Sequence, residues 1–240
     1  MEKIKNLIRR LSYSISRLTP FRSKDDYWEY YNRQIFVSEG IKKFGLERAR
    51  VLDVGGATGN NLLKRFGIKN VTTLDIEKKA DIVASAADMP LDDASYDVVT
   101  CIDTMEHIPA NDRDKVVREL VRVAARMTFL VAPILSPENN EAESLVLKYR
   151  DCSFVKDHQV HGLVDAHRIR SLLGELVEQG TVDRFEEVAL DDLHSWVLLM
   201  TRGFASELTL YKEAYFLENK FFPKRFGFVI YKPIKAPNMA

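Results

Sequence analysis

The stretch Val51-Leu52-Asp53-Val54-Gly55-Gly56-Ala57-Thr58-Gly59 constrains the fold most strongly. An apolar strand ends in an acid and enters a turn of small residues before a helix. Glycines in such a turn let the backbone approach a ligand with no Cβ in the way. The place is the carboxyl end of a first strand, where open α/β sheets bind ligands.

The chain around it alternates strand and helix. Arg50–Val54 reads as a strand, Asn60–Arg65 as the start of a helix and Val71–Asp75 as a second strand. Tyr96–Ile102 is a third strand, Arg113–Val123 a helix and Thr128–Ala132 a fourth strand. Strands apolar along their whole length imply a parallel sheet covered on both faces. The expected fold is therefore α/β, Rossmann-like and doubly wound. Ala166–Glu178 forms a further amphipathic helix, Val182–Leu190 a strand, Leu193–Met200 a helix capped by Asp191 or Asp192, and Phe226–Tyr231 a last strand. Another helix can run from Ser206 to about Phe222.

Two segments break the rhythm. Residues 1–24 carry Lys3, Lys5, Arg9, Arg10, Arg17, Arg22 and Lys24 against Glu2, with Ile4, Leu7, Ile8, Leu11, Ile15 and Leu18 on one helical stripe. Such a basic amphipathic arm suits an anionic membrane surface, its own domain or a second subunit. Residues 136–165 are polar and rich in Glu, Asp and His. They read as an inserted lid on the acceptor side, with a little helix around Glu141–Lys148. The chain thus divides into an arm, 1–24, and one domain, 25–240.

The strand-end acids are Asp53, Asp75 and Asp88. No register of the glycine turn fits G-x-G-x-x-G, and no Gly-Lys-Ser/Thr follows it. The pattern is D-x-G-x-x-x-G. A carboxylate there repels a pyrophosphate and suits a cationic ligand end. Asp75 can accept both hydroxyls of a ribose, and Asp88 the exocyclic amine of an adenine.

On these residues the chain resembles the class I S-adenosylmethionine-dependent methyltransferases, within the broad small-molecule and glycan-modifying subgroup. VLDVGGATG is similar to their first motif, TTLDI to their second, and AADMPLDDASYDVVTCIDTMEHIP to the third and fourth with the run that follows. The resemblance implies a mostly parallel seven-stranded sheet with an antiparallel last strand. It implies S-adenosylmethionine as cofactor, held by Asp53, Gly55, Gly56, Ala57 and Gly59 around the methionine end and turn. It gives Asp75 and Ile76 the ribose side, Asp88 and Met89 the adenine, and Ile102, Asp103 and Met105 the pocket near the sulfonium.

An acceptor hydroxyl needs a base. His107, in Met105-Glu106-His107, serves either as that base or as pocket wall. His158 and His161, in the lid, are further catalytic candidates, since imidazole titrates near neutral pH. His158 and His161 with Asp157 and Asp165 lack an evident ligand geometry, so no metal is expected. The segment Leu147–Arg150, the histidine pair and the helix holding Trp196 resemble glycan-modifying methyltransferases. The expected function is methyl transfer to a small-molecule or glycan acceptor, at a hydroxyl. The alternatives are a membrane quinone or lipid as acceptor, or an inactive cofactor-binding partner subunit.

Composition adds exclusions. Lys+Arg and Asp+Glu both number 35 in the 240 residues. Zero net charge and the lack of a basic patch with aromatics argue against nucleic acid. Enzymes that methylate base amines usually carry Asn/Asp-Pro-Pro-aromatic where this chain has Asp103-Thr104-Met105-Glu106. Cys101 lies in an apolar strand and reads as a small hydrophobe rather than a nucleophile. With Cys152 it makes too few cysteines for a disulfide framework. No apolar run is long enough to span a membrane, and no signal peptide is evident. The expected location is cytoplasmic, with peripheral membrane contact open through residues 1–24, as a monomer or homodimer.

Overall fold

A computed structural model describes residues 28–56, 61–201 and 222–233. The expected arm at 1–24, the turn residues Ala57 and Gly59, and the helix expected from Ser206 lie outside the described residues. Among the described residues the order is α1 Trp28–Lys43, β1 Arg50–Val54, α2 Leu62–Arg65, β2 Asn70–Asp75, β3 Ile82–Val83 and β4 Tyr96–Ile102. Then come α3 Arg113–Val123, β5 Ala124–Pro133, α4 Pro137–Tyr149, α5 Ser153–His161, α6 Ala166–Glu178, β6 Arg184–Asp192, α7 Leu193–Thr201 and β7 Pro223–Tyr231. Two short 3₁₀ turns, Met105–His107 and Ala110–Asp112, link β4 to α3.

The seven strands pair in the order β3-β2-β1-β4-β5-β7-β6. Strands β1 to β5 pair in parallel, and β7 runs antiparallel to both β5 and β6. The expected α/β sheet with one antiparallel strand is the observed fold. It contains a strand the sequence did not announce, β3, whose two residues are too few to show a pattern.

Period two divides each inner strand between two cores. Leu52, Val54, Val99, Cys101, Leu130 and Ala132 pack beneath α3 and α6 with Val116, Val117, Leu120 and Leu172. Val51, Val98, Ile102, Met127, Phe129 and Val131 face α1 and α2 with Val37, Ile41 and Leu63. Both faces are covered, which is why these strands read as continuous apolar runs. A third core lies under the lid, where Ala142, Val146 and Val155 meet Leu193, Trp196, Val197 and Met200.

The lid is more regular than expected: residues 136–165 hold two helices rather than a little one. Ser136 caps α4, its Oγ accepting from the Asn139 N–H at 3.1 Å, and Pro137 sits in the first turn where its missing N–H costs nothing. Asp165 caps α6 by accepting from the N–H groups of His167 and Arg168. The end of the lid is tied down by Arg113. Its guanidinium donates to the carbonyls of Leu163, at 2.9 Å, and His161, also at 2.9 Å.

Candidate active site

The site forms where β1 and β4 end side by side. Asp53 sits opposite Thr100 in the sheet register. The Thr100 hydroxyl donates to Asp53 Oδ1 at 2.7 Å, and the Asn61 amide donates to Oδ2 at 2.6 Å. Asn61 also accepts from the Lys64 N–H as the cap of α2, so one side chain orients both the helix and the carboxylate. Burial pushes the Asp53 carboxyl up to about 6, against the two hydrogen bonds that favour its charged form.

The turn that follows has no room for side chains. Gly55 has φ +82°, and a Cβ there would lie 2.0 Å from Thr104 Oγ1. A Cβ on Gly56 would lie 2.4 Å from Asp53 Oδ2. Thr104 in turn donates to the carbonyls of Val54 and Ile102, knitting the ends of β1 and β4 together.

Two cavities open at this edge. One, of about 370 Å³, runs between Asp75 and Ile76 on one side and Ile108 and Pro109 on the other, with Ala84, Ser85, Ala86 and Ala87 as a further wall. The other, of about 560 Å³, lies under the lid and is bordered by Asp53, Gly56, Ile102, Glu106, His158 and Arg225. Gly55, Asp103 and His107 border both, so the two meet there.

Charged side chains share the second cavity with Ile102, Phe154, Trp196 and Met200. Asp103, at φ +47°, takes Arg33 Nε at 2.7 Å and the Arg225 guanidinium at 2.8 and 3.0 Å. Burial alone would raise this carboxyl; Arg225 and Arg33 instead hold it below the usual range. Arg225 continues to Asp191 at 3.1 Å, so α1, β4, β6 and β7 converge on one ion cluster. Glu106, beside it, is 1% exposed. Burial and then the Asp103 charge push its carboxyl up to about 8. Among the described residues Glu106 Oε2 has no hydrogen-bond partner.

The lid contributes His158. Its Nδ1 lies 2.8 Å from Glu143 Oε1, and its Nε2 lies 3.9 Å from Glu106 Oε1. Glu143 also accepts from Lys224 Nζ at 2.7 Å. Lys224 is fully buried and stands 4.0 Å over the Trp196 ring. Burial would raise Glu143, and His158 with Lys224 hold it below its ordinary value. His107 faces His158 with ring centroids 5.4 Å apart and sits 3.8 Å from Asp157. Burial, and then His158, lower the pKa of His107.

Of the residues singled out in the sequence, Asp53, Gly55, Gly56, Ile102, Asp103, His107 and His158 border the lid cavity, and Asp75 and Ile76 the narrower one. Asp88, Met89, Met105 and His161 border neither. Met89 and Met105 are packed in the sheet core, and Asp88 is exposed, its N–H donating to the Ser85 carbonyl. His161 points its carbonyl at Arg113 instead. Trp196 is both core and cavity wall. Cys101 is wholly buried, and burial raises its thiol, which keeps it protonated. Glu106, Glu143, Lys224, Arg33 and Arg225 were not visible as site residues. Only Glu106, next to His107, carried a local signal.

Residues 52–132 match the family model described as a methyltransferase domain. In the solved structures, the YcgJ protein of Bacillus subtilis is similar over 83% of this chain and all of its own, at 16% identity and a TM-score of 0.52. Magnesium protoporphyrin IX methyltransferase of Synechocystis PCC 6803, with S-adenosylhomocysteine bound, is similar over 90% of this chain and 89% of its own, at 12% identity and a TM-score of 0.54. An S-adenosylmethionine-dependent methyltransferase of Archaeoglobus fulgidus covers 86% of this chain with all of its own, at 14% identity and a TM-score of 0.52. These likenesses establish the fold. The methyltransferase-domain match falls on the part of this fold that runs from β1 to β5.

Proposed function

We propose that the chain methylates a small polar acceptor, a glycan or other small molecule, at a hydroxyl. The observation that carries this reading is the pair of cavities meeting at Gly55, Asp103 and His107. The narrower one has small residues and a carboxylate at its rim and suits a nucleoside. The one under the lid is lined by ionic side chains and suits a polar acceptor better than a quinone or lipid tail.

The residues fit the cofactor. Gly55 and Gly56 leave a turn that no Cβ could enter. Asp75, at the rim of the narrower cavity with Ile76, would accept the ribose hydroxyls, and Asp53 would meet the cationic amino-acid end. When bound, the cofactor supplies a methyl group already activated by its sulfonium. The chain's own work is to orient the acceptor, worth up to roughly 7–11 kcal/mol, and to withdraw its proton. Glu143 holds His158 Nδ1, leaving Nε2 toward Glu106 and the cavity, and His107 stands opposite. These two imidazoles are the proton acceptors of this reading, and such a base contributes about 10²–10⁴-fold.

Residues 1–24 keep the proposed peripheral membrane contact. No described helix is long and apolar enough to cross a membrane.

The test is transfer of labelled methyl from S-adenosylmethionine into a polar metabolite and glycan extract and, separately, into an apolar extract. Label in the polar extract supports the proposal. Label confined to the apolar extract assigns the acceptor to lipids or quinones. No label in either, with S-adenosylhomocysteine still bound in calorimetry, marks an inactive partner subunit.

A further inference from the structure

We infer that Glu106, His107 and His158 form a binding site for one divalent transition cation, of the zinc, cobalt or manganese kind. Each offers one ligand atom, and these atoms lie within 4.8 Å of one another. Ligands around a tetrahedral cation at about 2.0–2.2 Å are roughly 3.3–3.6 Å apart, so the set must draw in by up to about 1.4 Å. The His158–Glu106 pair, at 3.9 Å, needs only a few tenths of an ångström of that.

Three further observations point to a ligand. Glu106 is 1% exposed, borders the lid cavity, and has an Oε2 with no partner among the described residues. A buried carboxylate left without a partner is costly, and a cation removes that cost. His158 Nδ1 lies at hydrogen-bond distance from Glu143, which fixes the ring with Nε2 toward Glu106. A carboxylate behind a histidine is the usual support of a metal-binding imidazole. Lys224 Nζ donates to the same Glu143 oxygen, at 2.7 Å. Glu143 and Lys224 are therefore positioning residues.

Two imidazoles and one carboxylate select transition cations over magnesium or calcium, which prefer all-oxygen sets. Three protein ligands leave positions open on the cavity side. The inference rests on the reading above only in its use: an acceptor hydroxyl entering an open position is polarised, its proton leaves to water, and its oxygen keeps the electron pair. With the cation bound, His107 and His158 would hold it; in its absence they stay free to take the proton as bases.

The experiment takes the full chain, stripped of metal, and titrates Co²⁺ by visible absorption and Zn²⁺ by calorimetry. One equivalent should bind with a ligand-field band, and Mg²⁺ should not compete. Glu106→Gln and His158→Gln should each weaken Co²⁺ at least tenfold, and Glu143→Gln about 10–100-fold, while S-adenosylhomocysteine still binds as a check of folding. Should the buried variants not fold, His107→Gln, at a half-exposed position, decides by the same measure. Absence of stoichiometric binding to the wild type overturns the inference. So does unchanged binding in His107→Gln together with any folded buried variant. Loss of S-adenosylhomocysteine binding in the wild type with Co²⁺ binding intact would sink the cofactor geometry and leave the cation site standing.

Discussion

The two cavities that meet at Gly55 are built by opposite means. The narrower cavity, proposed for the nucleoside, is made of backbone and small residues drawn largely from β1, β2 and the segment around Ala84–Ala87. The wider one, proposed for the acceptor, holds long charged side chains brought from α1, the end of β4, the lid and β7. One is a shape that local sequence can specify. The other is a balance of charges that exists only when remote segments meet.

Variants can break this contrast. The largest effect is expected on the acceptor side: Lys224→Met leaves Glu143 as a buried, under-compensated charge, at a cost of about 3–5 kcal/mol in a urea unfolding series. An unchanged midpoint would show that the buried pair is not a structural strut. Next comes pH. The Asp53 carboxyl stands at about 6 in the folded chain against 3.8 as its ordinary value. The unfolded state therefore binds fewer protons between those values, and stability falls as pH rises from about 4 to 6, by about 3 kcal/mol at most. Ligand binding should move the opposite way, S-adenosylhomocysteine tightening as Asp53 ionises near pH 6. Paired unfolding and calorimetry series at pH 4 to 7 check both signs.

Around the narrower cavity the expected losses fall on binding and, at Gly55, on the folded turn as well. Gly55→Trp should reduce S-adenosylhomocysteine affinity by at least about 100-fold, since even a Cβ meets Thr104. Asp75→Ala should cost about 1.5–3 kcal/mol, the worth of hydrogen bonds to a charged group. If both variants bind as the wild type does in calorimetry, the assignment of this cavity is wrong. The smallest effect separates neighbours: Asp88→Ala, at an exposed position that does not line the cavity, should change affinity by less than about twofold, within the ordinary range for a surface substitution.

The same contrast explains what could be read in advance. Arg50–Val54, Tyr96–Ile102, Arg113–Val123 and Ala166–Glu178 have the bounds expected of them, because each buries a regular apolar face. In α5 only Val155 and His158 are buried, so nothing periodic announced a helix. Helix α1 mixes buried Arg33, Gln34 and Ser38 with Val37 and Ile41, and its pattern is equally faint. Lys224 is the extreme case. A fully buried lysine runs against every compositional expectation, and Glu143 and Trp196, from distant parts of the chain, help to account for it.

The clamp on Asp103 has a consequence for the order of assembly. Its two arginines lie on either side of the sheet's central strands in the sequence, and Arg225 belongs to the last strand. During synthesis, the parallel strands and the glycine turn emerge well before residue 225 does. A nascent chain can therefore complete the nucleoside-shaped hollow while Asp103 still lacks half its counter-charge. The half of the molecule proposed to choose an acceptor therefore waits for the last strand before its ion cluster closes.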